Sequence, residues 1–211
     1  MRTKDGWRLV LSLGAWEHLR EALVGHGERD VLRRVPAVRA WALAQWPIIV
    51  GELSTMARPI SGMWFDKMPE ANWQVPWHQD VHVPVMPFMG SGWGPWMTKA
   101  GLPSVMAPEP WSSRRLAARL HLDLCGEDQG PLQLIPGSHI RGVLTPSAID
   151  AVVERGPVIT VVAQPGEVLL LHPLLLHRSS PARVPRHRRV IQVEWCDAPL
   201  PLGATWLDDH P

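Results

Sequence analysis

The chain has 211 residues, with 21 Lys and Arg against 20 Asp and Glu, a formal net charge of +1. That length holds one domain with a full hydrophobic core and little more, and the balanced charge excludes an electrostatic nucleic-acid binder. No run of 18 apolar residues could span a membrane, the opening MRTKDGWRLV lacks the apolar core of a signal peptide, and the two cysteines, Cys125 and Cys196, are too few for a disulfide scaffold or a zinc cluster. A reducing, cytoplasmic setting and a small-molecule partner are therefore expected, without nucleic acid or membrane. Composition is silent on oligomeric state.

The first 56 residues read as a helical support region. Positions 15–24 place Trp16, Leu19 and Leu23 on one face, with Gly25 as a stop, and 37–45 is a second helical pattern closed by Pro47. From residue 57 the apolar runs shorten and are punctuated by Gly and Pro. Strands are expected at 59–66, 75–85, 116–124, 131–135, 158–162, 168–177 and 189–195, with turns at GEDQG (126–130) and QPGE (164–167). In 116–124 the alternation is strict: Arg119, His121 and Asp123 share one face, and Leu120, Leu122 and Leu124 the other. The stretch 81–115 has no period and reads as a lid or wall over a pocket. The fold class is mainly β with N-terminal helices, a sandwich or jelly-roll barrel. One domain over 1–211 is expected, with its barrel core at 57–195.

Three residues suggest metal chemistry. In NWQVPWHQD (72–80), His78 and Asp80 are two apart, so on an extended segment they project to one side. A second His from a distant strand would complete a two-His, one-carboxylate set, which leaves coordination positions open on Fe(II). His177 is the candidate, because a polar turn follows it. His172, five residues earlier, would face the opposite way on a straight strand and reads as a core or outward-facing histidine. Arg188 enters the final strand and offers a fork that matches a carboxylate. A competing pair, His121 and Asp123, has the same His-x-Asp spacing on a better-defined strand.

The segments FDKMPEANWQVPWHQD, RLHLDLCGEDQGPLQLIPGSHIRGVL, PGEVLLLHPLLLHRSS and HRRVIQVEW together resemble the phytanoyl-CoA dioxygenase family. The resemblance covers roughly residues 57–195 and implies a double-stranded β-helix, a cupin-like jelly roll. It implies Fe(II) as metal and 2-oxoglutarate and O2 as cosubstrates. By the same resemblance His78, Asp80 and His177 are the metal ligands, Arg188 and Ser179 bind 2-oxoglutarate, and Arg119 borders it. His121 then belongs one strand after the metal pair and lines the pocket. Lys67, Trp77, His82 and Trp96 are further candidates for contact with substrate. The chain departs from the family pattern at Arg178 and Ala182 after the distal His, and it is short for the family.

The implied reaction is hydroxylation of a small or medium-sized, largely apolar metabolite, with release of succinate and CO2. A carboxylate at position 80 argues against halogenation. The alternatives are a cupin-type isomerase or hydrolase without oxygen chemistry, and a non-catalytic jelly-roll binding protein. The chain also has twelve Trp, six of them from Trp64 to Trp111, which suggests an aromatic-walled cavity.

Overall fold

The computed structural model describes residues 4–207. The N-terminal part holds β1 (Trp7–Leu11), α1 (Leu19–Ala22), β2 (Gly27–Arg29), α2 (Val31–Arg34), α3 (Pro36–Ala44) and α4 (Trp46–Glu52). The next part holds β3 (Arg58–Asp66), β4 (Val75–His78), β5 (His82–Val83), β6 (Trp96–Lys99), β7 (Leu102–Met106) and β8 (Arg115–His121). The last part holds β9 (Leu132–Leu134), α5 (Pro146–Arg155), β10 (Ile159–Val161), β11 (Glu167–Leu171), β12 (His177–Ser179) and β13 (Arg189–Cys196).

The strands form three antiparallel sheets. The largest has the order β1-β11-β8-β13-β3-β2, the second β10-β9-β12-β4, and the smallest β5-β7-β6. Ala117, Leu169 and Leu171 from the first pack with Leu132, Leu134 and Val161 from the second, closing one end of a jelly-roll-like sandwich. The opposite face of the large sheet carries Leu116, Leu120, Val168, Leu170, Ile191 and Val193. These pack on Leu19, Leu32, Val38, Trp41 and Ile49 of the helical layer. With both faces covered, β11 reads EVLLL, a continuous apolar run without alternation. In α3, Pro36 stands at the first turn, and Val38, Trp41 and Ala42 form its buried stripe.

Several expectations change. The first 56 residues are not purely helical: β1 and β2 are edge strands of the large sheet, pairing with β11 and β3. The expected helix at 15–24 shortens to the single turn α1, and Pro47 opens α4 rather than merely closing α3. The expected strand 75–85 divides into β4 and β5, and 168–177 divides at Pro173 into β11 and β12, which belong to different sheets. Asp123 lies past the end of β8 and pairs with Arg189 at 2.8 Å. The stretch 81–115 is largely the β6–β7 hairpin with β5 beside it, so it is a wall with its own hydrogen bonds.

Candidate metal centre

β4 and β12 are neighbours in the second sheet, and His78 lies directly opposite His177 in their register. The two imidazoles are 4.1 Å apart between ring centroids. Asp80 follows β4, its backbone N–H donating to Pro173 O at 2.8 Å. Its carboxylate sits between the rings, Oδ1 3.7 Å from His78 Nε2 and Oδ2 3.7 Å from His177 Nε2. These separations exceed a hydrogen bond and leave space for an ion between the donors, all of which lie within 4.8 Å of one another.

The protonation state also suits a metal. His78 Nδ1 donates to Pro76 O at 2.8 Å, and His177 Nδ1 donates to Leu175 O at 2.8 Å. A carbonyl only accepts, so each Nδ1 carries a proton and, in a neutral ring, the lone pair is on Nε2 facing the carboxylate. Burial, then the nearby His78, hold the His177 pKa down at about 4, so the ring is neutral at neutral pH. Burial alone would raise the Asp80 pKa. The neighbouring His177 and His78, then Arg115 and Arg119, outweigh it and hold the carboxyl ionised, at about 2. Between the two ligand candidates, Gln79 turns into the core. Its amide donates to Gly142 O and Leu174 O at 2.9 and 2.7 Å and accepts from Leu144 N at 2.8 Å.

Beyond His177 lies a cationic end. Arg188 is buried, donates from Nη1 to Gly130 O at 2.9 Å, and lies 5.8 Å from the Phe65 ring centroid. Asp66 at the end of β3 accepts from Arg188 N at 2.7 Å and pairs with His187 at 2.6 Å, which fixes where β13 begins. Arg119, on β8, lies 4.9 Å from the same ring centroid and donates to Gln192. The Nε atoms of both arginines are buried without an acceptor. Lys67 is fully buried and donates to Ser179 Oγ at 2.9 Å and to Ser180 O. Burial, then the charge of Arg188, lower its pKa to about 7. Three basic groups with two unmet guanidinium donors fit a dianionic ligand.

A cavity of about 470 Å³ joins these groups. His78, Asp80, His82, His177, Ser179, Arg119 and Arg188 all line it. A profile of the family described as phytanoyl-CoA dioxygenase (PhyH) matches residues 28–190. The chain belongs to the phytanoyl-CoA dioxygenase family. Enzymes of this family use Fe(II) and 2-oxoglutarate and act on small molecules. No curated protein sequence matches the chain.

Three of the similar solved structures illustrate the likeness. EvdMO1 shares 16% identity with a TM-score of 0.70; the match covers 93% of this chain but 48% of EvdMO1, so the chain spans about half that protein's length. SnoK, a non-heme α-ketoglutarate-dependent carbocyclase from nogalamycin biosynthesis, shares 15% identity with a TM-score of 0.68, covering 96% and 82% of the two chains. Iron-bound HygX from Streptomyces hygroscopicus shares 14% with a TM-score of 0.62, covering 92% and 83%. At these identities the likeness establishes the shared fold.

The other sequence candidates divide. Trp77 points away from the cavity and lies under the Arg178 guanidinium, 4.9 Å from its ring centroid, because a bulge in β4 turns Val75 and His78 inward together. Trp96 is 38% exposed on β6 and packs edge-on against Phe88, outside the cavity. His121 does not line the cavity either; it is buried behind Arg119, its Nδ1 3.3 Å from Glu167 O. Lys67 holds Ser179 and does not itself line the wall. His172 has a core role, contacting Ser113 O, Leu174 N and the His139 ring, and it leaves β11 altogether rather than facing outward from a straight strand. The departures at 178 and 182 are accommodated: Arg178 also donates to Gln133 at 2.7 Å, and Asn72 holds both the N–H and the C=O of Ala182.

Sequence reasoning missed the residues that β2 and the hairpin bring to the cavity: Glu28, Arg29, Asp30, Lys99, Leu102 and Ser104. It also missed Glu194, which accepts from Arg115 at 3.0 Å, while Arg115 donates in turn to Asp80 O. A charged residue in the last strand at a cavity-facing position, two past Gln192, was the available signal. The lining is therefore mixed. Trp64 and Trp73 line it, but so do polar and charged groups.

Proposed function

We propose that this chain is a hydroxylase using Fe(II), 2-oxoglutarate and O2, with His78, Asp80 and His177 as the metal ligands. The observation that carries the reading is the convergence of two tautomer-locked Nε2 atoms on one ionised carboxylate. Bound iron, 2-oxoglutarate and oxygen supply the oxidising power for C–H hydroxylation, with succinate and CO2 released. The chain's own groups do the rest. His78 and His177 offer lone pairs, and Asp80 offers charge. Arg188 and Ser179 take the far carboxylate of 2-oxoglutarate, Lys67 orients the Ser179 hydroxyl, and Arg119 adds positive charge on the Phe65 side. The cavity walls position the target bond and limit water.

Anaerobic protein given Fe(II) and 2-oxoglutarate is expected to show a weak visible charge-transfer band, and admission of air should yield succinate. Absence of both cosubstrate binding and turnover overturns the reading. SnoK is a carbocyclase on a similar fold, so product analysis is needed as well: a product containing one added oxygen atom supports hydroxylation, and a ring-closed product without it replaces that assignment.

A further inference from the structure

The end of the cavity away from Arg188 carries charge that neither the metal centre nor the cosubstrate site uses. Lys99, the last residue of β6, and Arg29, the last of β2, both line it. The acids around them are already engaged. Glu194 accepts from the fully buried Arg115, Glu28 pairs with Arg34, and Asp30 lies 3.4 Å from Arg33. Lys99 and Arg29 have no side-chain hydrogen bond or ion pair among the described residues. Lys99 is half-buried and close enough to feel the charges of Asp80, Arg29, Glu194 and Arg115. A divalent ion at the triad would draw on the Asp80 charge, leaving the ammonium still less compensated. A cation partly withdrawn from water without a counter-ion is costly unless a ligand supplies one. The other polar groups at this end, His82 and Ser104, are hydrogen-bonding groups suited to the same ligand.

We propose that Lys99, assisted by Arg29, binds an anionic group of the substrate, a carboxylate or a phosphate monoester, so that the substrate is a small anionic metabolite rather than an apolar one. The cavity, about 470 Å³ in all and shared with 2-oxoglutarate, lies toward the small end of ligand sites, so the anion belongs to a compact molecule. The identity of the anion carrier as substrate rests on the oxygenase reading; the binding of anions at Lys99 does not.

The test is calorimetric titration of protein saturated anaerobically with Fe(II) and 2-oxoglutarate, repeated on metal-free protein. The probes are benzoate, 3-phenylpropionate and phenyl phosphate, against the neutral benzamide and 3-phenylpropionamide. At least one anion is expected to bind about tenfold or more tightly than its neutral counterpart, the scale of a charge-assisted hydrogen bond. Lys99→Met should abolish that preference and Lys99→Arg should keep it, with retained 2-oxoglutarate binding reporting that each variant is folded. Benzoate against phenyl phosphate separates carboxylate from phosphate. No anion binding, equal binding of acid and amide, or a preference that survives Lys99→Met overturns the proposal. Loss of the charge-transfer band in wild type with Lys99-dependent anion binding intact would overturn the oxygenase reading alone.

Discussion

The two ends of the cavity are built from different kinds of structure. At the end proposed for the cosubstrate, Arg119, Arg188 and Ser179 sit on or beside β8, β13 and β12, each hydrogen-bonded to strands on both sides. At the other end, Arg29, Lys99 and Ser104 come from the three-residue edge strand β2 and from a hairpin in the smallest sheet. A cosubstrate that is the same in every turnover profits from side chains held by paired strands. A substrate that distinguishes one enzyme from its relatives can be met by edge elements that change without disturbing the barrel.

Substitutions sharpen that contrast in order of size. His177→Ala or Asp80→Ala removes a proposed metal ligand and is expected to cost more than about 100-fold in Fe(II) affinity, since even outer partners of metal ligands cost 10–100-fold. The visible band should vanish in His78→Ala and persist in His121→Ala; the reverse would move the metal to His121 and Asp123. Arg188→Met is expected to weaken 2-oxoglutarate binding by about 2 kcal/mol, roughly 30-fold, with anion binding at Lys99 intact. If both ends weaken together, the division of the cavity fails. Gln79→Leu should reduce Fe(II) affinity about tenfold by freeing the backbone between His78 and Asp80, measured by competition with a chelator.

A pH-dependent difference is expected from His121. Burial, then the charges of Arg119 and Arg188, lower its pKa from 6.5 to about 3. Its folded pKa is depressed, so the unfolded chain takes up the proton first. The stability this neutral ring secures is present above pH 6.5 and is lost as pH falls toward 3. Between pH 7.5 and pH 5.5, urea denaturation of His121→Met should therefore show about 1 kcal/mol less loss than wild type. Trp96→Ala comes last: with its ring outside the cavity, 2-oxoglutarate binding should stay within about twofold of wild type.

The sequence was most readable where strands are central. The expected 59–66, 116–124 and 189–195 correspond to β3, β8 and β13, because strict alternation or continuous burial leaves a clear pattern. β1 was missed although Asp5-Gly6 marks a turn just before WRLVL, because its partner β11 lies some 160 residues away. α5 was missed although Thr145 caps it through Ala148 N and Pro146 opens it, a local signature that was available. Pro173 was a visible warning against one strand through 168–177. At the site, spacing offered His78 with Asp80 and equally His121 with Asp123; the family resemblance favoured the first pair, which the fold brings beside His177. Trp77 is next to His78 on a strand, where neighbours face opposite ways, and Trp96 had only its place in the aromatic-rich 81–115 stretch to suggest the cavity. Lys99 had no pattern around it, since its place depends on a hairpin folding across the chain.

The two histidine locks have a consequence for mutational scanning. Each ring is held by the carbonyl two residues upstream, Pro76 for His78 and Leu175 for His177. No side-chain truncation at 76 or 175 deletes a main-chain oxygen. A survey by alanine substitution would report only the lost side chain at each position, core packing in the case of the buried Leu175, and would miss that the two carbonyls decide which nitrogen of each ring is available. Replacing the amide linkage after residue 76 or 175 by an ester, which weakens that carbonyl as an acceptor while keeping every side chain, is the chemical change that would reveal them.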